Sequence, residues 1–208
     1  MSGNAQERLL TRIRACRRCL EQPKIKPLPH EPRPVLRLSP SALIAVCGQA
    51  PGTRVHASGI PFDDRSGDRL REWMGVSSAE FYDASRVAMV PMGFCFPGQD
   101  VKGGDLPPRP ECAPLWRDTV FATLGCLQLV LLVGRYAQVW HLGREATANG
   151  LSETVANWRQ VLDAHARPAY LPLPHPSWRN SGWLKRNPWF EAELLPMLRA
   201  NVRSLLNA

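Results

Sequence analysis

Ala42-Leu43-Ile44-Ala45-Val46-Cys47 runs straight into Gly48-Gln49-Ala50-Pro51-Gly52. An apolar run ended at once by glycine and proline reads as a buried β-strand followed by the loop at its carboxyl end. Further strand-like runs lie at 86–90, 128–133 and 169–173. Gln128-Leu129-Val130-Leu131-Leu132-Val133 is apolar without alternation, as in a parallel strand covered on both faces. Ala169-Tyr170-Leu171-Pro172-Leu173 leads into His175-Pro176-Ser177. Open parallel sheets bind ligands outside the carboxyl ends of their strands. The loops after the first and last runs are therefore expected to face one cleft.

Helical stretches separate the strands at 66–75, 112–125, 135–147 and 154–163. Within 112–125, Trp116, Val120 and Leu124 recur at four-residue spacing beside Phe121, defining one buried face. Residues 5–20 read as a short helix with Leu9, Leu10 and Ile13 on one side. Asn187-Pro188 opens a last helix, with Phe190, Leu194, Leu198, Val202 and Leu205 at helical spacing. Pro196 should kink or split it. This alternation predicts an α/β fold, a three-layer α/β/α sandwich around a mostly parallel four-stranded sheet. One domain spans 1–208: an N-terminal helix with a C-x-x-C pair, a proline-rich connector at 23–40, and the core at 41–208. Residues 97–110 form a long loop without periodicity, a kind that tends to be functional or disordered.

The formal net charge is +8, mostly from arginine, with 44% apolar and 21% charged residues. That balance suits a globular protein with a polyanionic partner. No apolar run approaches the roughly 20 residues that cross a bilayer, and the N-terminus lacks the apolar core of a secretory signal. The expectation is a cytoplasmic protein with no membrane association and no obligate protein partner.

Cys16 and Cys19 form the C-x-x-C unit, Cys95 follows the second strand, and Cys112 opens a helix. Such a set can converge as a four-thiolate site for zinc or an iron–sulfur cluster. Cys47 and Cys126, ending an apolar strand and an apolar helix face, are expected in the core.

The loop Gly48–Gly52 is neither a dinucleotide fingerprint nor a phosphate loop. Its continuation is more telling: Gly59-Ile60-Pro61-Phe62-Asp63-Asp64-Arg65-Ser66-Gly67-Asp68, and, much later, His175-Pro176-Ser177-Trp178-Arg179-Asn180. The C-x-x-C pair, the G-x-A-P-G loop, the G-x-P-F segment, the two later cysteines and the H-P-S loop stand in an order that resembles the uracil-DNA glycosylase superfamily. The closest likeness is to its iron–sulfur families four and five, over nearly the whole chain. The resemblance implies a DNA repair glycosylase that flips a deaminated base, uracil first among them, and hydrolyses its N-glycosidic bond to leave an abasic site.

It also implies roles. Gly48, Gln49, Ala50, Pro51 and Gly52 would line the base pocket, and Phe62 would stack on the flipped base. His175 would face uracil O2, while Pro176 and Ser177 fix its loop and meet a backbone phosphate. Arg179 and Asn180 belong to the same DNA-facing loop, and an aromatic there would wedge into the vacated stack. Trp183 is instead expected to pack on the last helix. Cys16, Cys19, Cys95 and Cys112 would hold a structural [4Fe–4S] cluster, with zinc as the alternative.

The sequence departs from the family pattern at two points. Gln49 and Ala50 are uncharged where some relatives carry an acidic residue that orients water. That carboxylate is therefore sought in Asp64, then Asp63, with Asp68 as a helix-end residue. Val90-Pro91-Met92-Gly93 offers no amide where family four reads the uracil edge with asparagine. A broader range of deaminated bases follows. The same two departures keep open a DNA-binding protein on this fold that has lost efficient catalysis. A metal-bearing interaction domain unrelated to DNA is a third, weaker reading.

Overall fold

The computed structural model describes residues 2–164 and 167–207. All residues of β1 (Ile44–Cys47), β2 (Val87–Met89) and β3 (Leu129–Val133) are buried, as are the last three of β4 (Ala169–Leu173). These apolar runs fill both faces of one four-stranded sheet in the order β2-β1-β3-β4. Every pairing is parallel, with Ile44 beside Val87 and Leu129, and Leu129 beside Ala169. Pro172, which lacks an N–H, sits in the edge strand β4, where a missing donor is tolerated.

The first helices are α1 (Ser2–Arg14), α2 (Arg18–Glu21), α3 (Thr53–Ser58), α4 (Arg65–Met74), α5 (Ser78–Tyr82) and α6 (Cys112–Phe121). The rest are α7 (Arg135–Ala146), α8 (Leu151–Ala156), α9 (Trp158–Ala164), α10 (Ser181–Arg186) and α11 (Leu195–Leu206). Alternate strand residues divide the core between two helical layers. Ile44, Val46, Met89 and Leu131 pack with α4, α9 and α11. Ala45, Cys47, Ala88 and Leu132 pack with α1, α6 and α7. This is the expected α/β/α arrangement, with the sheet wholly rather than mostly parallel.

Several expectations about single elements need correction. The helix anticipated at 5–20 breaks after Arg14, so Cys16 lies between α1 and α2. The helix anticipated at 112–125 ends at Phe121, which leaves Cys126 exposed rather than in the core; Cys47 is buried as expected. The stretch at 154–163 is two short helices. Pro196 does divide the last helix: a π turn, Phe190–Leu194, precedes α11, and the proline lies in the first turn of α11, where no intrahelical N–H is needed. Trp183 packs edge-on against Phe190, as expected.

The order β2-β1-β3-β4 has a consequence for function. The chain leaves β1 toward one side and later enters β3 and β4 on the other. The crevice at such a reversal opens at the carboxyl ends of the two central strands. Gly134 follows β3 with φ 84°, and a side chain there would approach the Cβ of His175 at 3.7 Å. That positive φ favours glycine, and the close approach places the end of β3 beside His175.

Candidate active site

A cleft of about 530 Å³ opens at these strand ends. Its walls include Gly48–Gly52 after β1, Phe62 and Asp64 before α4, Pro91 after β2, and His175 and Ser177–Asn180 after β4. Segments far apart in the chain thus meet as the two motifs required. Pro176 is buried behind its loop and does not line the cleft.

The β1 loop is held by its own backbone. Met92 N–H donates to Gly48 O and Gly93 N–H to Gln49 O, both at 2.9 Å. The Gln49 side chain is occupied as well, donating to Leu106 O at 3.0 Å. Gln49 therefore shapes the cleft by tethering the 97–110 loop to it.

Phe62 has φ 56°, a left-handed conformation that is unusual for a bulky residue and persists only when its surroundings fix it. Four neighbours do so. Tyr82 Oη donates to Phe62 O at 3.1 Å. A Cβ added at Gly67 would lie 1.8 Å from the same oxygen, and one added at Gly48 would lie 3.0 Å from the ring edge. Phe81 supports the ring edge-on at 6.1 Å. The aromatic is a fixed platform on one side of the cleft.

His175 is held from behind. Ser177 N–H donates to His175 Nδ1 at 3.2 Å, and Asn180 Nδ2 donates to His175 O at 2.7 Å. Because Nδ1 accepts, the neutral ring carries its proton on Nε2. Burial pushes His175 below the usual histidine range, while the charges of Asp64 and Asp105 pull the other way. At neutral pH the ring is an uncharged donor. Arg69 secures the same loop by donating to Ser177 O at 3.3 Å.

The carboxylates separate clearly. Asp64 lines the cleft, and its Oδ1 caps α4 by accepting from Gly67 N–H at 2.9 Å. Asp63 lies off the cleft wall, paired with Arg54 at 4.0 Å. Asp68 pairs with Arg71 within α4. Sequence reading missed Asp105, which lines the cleft from the 97–110 loop and accepts from Gln99 Nε2 at 3.2 Å. A Cβ at Gly52 would stand 3.1 Å from Asp105 Oδ2, so glycine admits this carboxylate to the β1 loop. At the rim, Trp178 is 73% exposed with Arg179 beside its ring, 5.8 Å from the centroid.

Cys16, Cys19, Cys95 and Cys112 line a second, small cavity with Phe94, Arg109 and Glu111. Burial is the first cause raising the Cys19, Cys95 and Cys112 thiols, Cys95 to about 12. Phe94 N–H donates to Cys112 Sγ at 3.3 Å. Among the described residues, no three Cys, His, Asp or Glu side chains are grouped as a single metal ion requires. Among them, too, no helix is long and apolar enough to cross a membrane.

A stability profile follows from the histidines. His56, His141 and His175 are all depressed, burial being the first cause each time, and His141 falls to about 3. Below a pH of about 6.5 the unfolded chain binds protons that the folded protein does not. Their contribution is complete above that pH and declines as pH falls toward the folded values. Thermal midpoints should therefore drop between about pH 6.5 and 4.5, before most carboxylates titrate. A flat midpoint over that interval contradicts the assignment.

Fold and cleft together define a parallel α/β protein whose ligand pocket pairs an aromatic platform with a fixed histidine at the strand ends. The family model of the uracil DNA glycosylase superfamily matches residues 37–199, and the chain belongs to that superfamily. The superfamily is one of DNA glycosylases, hydrolases acting on DNA. Cys16 and Cys19 precede the matched span, whereas every cleft residue except Val35 lies within it.

Proposed function

We propose that this protein is a monofunctional DNA repair glycosylase that releases uracil, or another deaminated base, and leaves an abasic site. One observation carries the reading: a neutral His175, with its proton on Nε2, lines the same cleft as the rigid Phe62 platform. A target base lies inside the stack and must be flipped out to react. Stacking on Phe62 offsets part of that penalty. Water adds to the sugar C1′ as the bond to the base nitrogen breaks, and the bonding pair leaves with the base. His175 Nε2–H donates to the base oxygen where that charge collects. The proton lost by water passes to a cleft carboxylate and then to solvent.

Asp64 is the first candidate for that carboxylate, since one oxygen caps α4 and the other is left for the cleft. Asp105 is the second. Asparagine caps a helix about as well as aspartate. Asp64→Asn should therefore keep the thermal midpoint while slowing excision by about 10²-fold, the lower range for a positioned base. Asp105→Asn should slow it by less, about tenfold, by the same scale. Equal loss of rate and stability in Asp64→Asn would assign that residue to capping alone.

Pro91, with no side-chain donor, lines the cleft where an amide would read the base edge. That supports a range extending to hypoxanthine and other deaminated bases. The deciding experiment incubates the protein with single- and double-stranded oligonucleotides carrying each base, then cleaves abasic sites with alkali. Strand breaks at uracil support the reading, and breaks at uracil alone remove the broader range. Tight, salt-sensitive binding without breaks at high enzyme excess supports a DNA-binding protein without catalysis.

The four cysteines are proposed to hold a structural [4Fe–4S] cluster. Their convergence on one cavity supports this reading, with zinc as the alternative. Bound, it would tie the N-terminal segment to α6. Iron and acid-labile sulfide in the purified protein test this, and zinc alone overturns it.

A further inference from the structure

Arg117, in α6, is 2% exposed and has no place in the reaction scheme above. Its Nε donates to His141 Nε2 at 2.9 Å, and Nη1 donates to Val90 O and Pro91 O, each at 3.2 Å. The Phe121 ring covers it at 4.9 Å. Among the described residues it forms no ion pair with a carboxylate. His141 stays neutral at physiological pH, because burial and the neighbouring guanidinium hold it at about 3. All these partners are neutral, so a full positive charge is buried here. Removing such a charge from water is unfavourable, and a structural hydrogen-bond donor has no need of it.

The charge lies directly behind the cleft. Pro91, whose carbonyl it binds, lines the cleft, and Cys47, which its charge also reaches, immediately precedes Gly48 of the cleft wall. Beside the standing carboxylates Asp64 and Asp105, new negative charge develops in that cleft as the base departs. A fixed cation behind a dry wall acts strongly there, because little solvent screens it and nothing must reorganise.

We propose that Arg117 is an electrostatic positioning residue for the leaving group: through the β1 and β2 ends it stabilises the anionic base without touching it. The inference rests on the glycosylase reading. It predicts a dependence on the base's own acidity. Arg117→Met, and Arg117→Gln, which keeps a donor but not the charge, should slow uracil excision about 10- to 30-fold in single turnover. The loss should shrink to a few-fold for 5-fluorouracil, a more acidic leaving group that needs less help. Arg117→Lys, which keeps the charge, should recover most of the rate. Affinity for DNA carrying an uncleavable abasic analogue should stay within about twofold, since the phosphate contacts are untouched.

An equal loss on both bases, or Lys failing as badly as Met, makes Arg117 structural and overturns the proposal. A second measurement needs no variant: free 5-fluorouracil bound to the wild-type protein should ionise at lower pH than in solution, followed by its ultraviolet shift. A bound base no more acidic than the free one overturns the proposal even if the neutral variants fail to fold. A wild type that excises neither base overturns the glycosylase reading and this inference together. An active wild type with an unchanged response to base acidity in the neutral variants overturns the inference alone.

Discussion

His175→Ala is expected to lower the single-turnover excision rate by about 10²–10³, the usual effect of removing one preorganised donor from a developing oxyanion. The side chain is anchored at Nδ1 by the Ser177 N–H, so Nε2 is the group that the cleft receives. Being uncharged, the ring gives more to the departing base than to the intact nucleotide, because only the departing base carries a negative charge. The substitution should therefore reduce the rate far more than DNA affinity. Measured binding to an uncleavable analogue should change by no more than a few-fold. The rate should also show no loss as pH rises through about 6.5, since the ring is already neutral there. Equal losses of affinity and rate, or a rate that falls over that pH range, would remove His175 from its role.

Gly67→Ala is expected to be the most damaging small substitution, destabilising the fold by about 3 kcal/mol, the upper range for overpacking. Its Cβ would lie 1.8 Å from a backbone oxygen, that of Phe62, which cannot rotate away as a side chain can. To relieve the contact, Phe62 must leave its left-handed conformation or the start of α4 must shift. Either change moves the aromatic platform and the Asp64 cap together, because Asp64 accepts from the Gly67 N–H itself. A urea midpoint close to wild type would show that this turn yields more easily than its geometry implies. Phe62→Leu separates the two effects. Apolar bulk is retained and stacking is lost, so excision should fall about tenfold, within the 1–3 kcal/mol of base–aromatic stacking, while the midpoint moves little.

How much of this was legible in sequence follows from what each residue depends on. The four strands were readable because their apolar runs answer to burial, a local property that pattern reports. His175 and the β1 loop were readable because each follows directly on a strand, and strand ends in a parallel sheet share one edge. Asp105 was not readable. Its position depends on Gln49 reaching Leu106 and on Gln99 reaching back within the loop, contacts that leave no periodic trace. The signal that existed was Gly52, whose missing side chain makes room for it. Asp63 and Asp64 are adjacent and chemically identical, so only the start of α4 distinguishes the cap in the cleft from the residue paired with Arg54. Cys126 was misplaced because the four-residue spacing continued past Phe121 after the helix itself had stopped. Arg117 looked like one more arginine in a basic chain, and only its burial sets it apart.

The proline-rich connector has a role beyond linking. Arg37 pairs antiparallel with Met89, exchanging N–H···O bonds of 3.0 and 2.6 Å, and Val35 N–H donates to Phe94 O at 2.7 Å. This stretch lies along the outer side of β2, the sheet's first edge strand. An uncovered edge is a template on which another chain can add a strand and begin to aggregate. Flanked by Pro34 and Pro40, which cannot donate to a ladder, the connector occupies that edge but is too short and too interrupted to offer a new one. A connector chosen for its prolines thus ends the sheet. Sheet growth therefore stops at β2, and Pro91, just beyond that strand, lines the cleft.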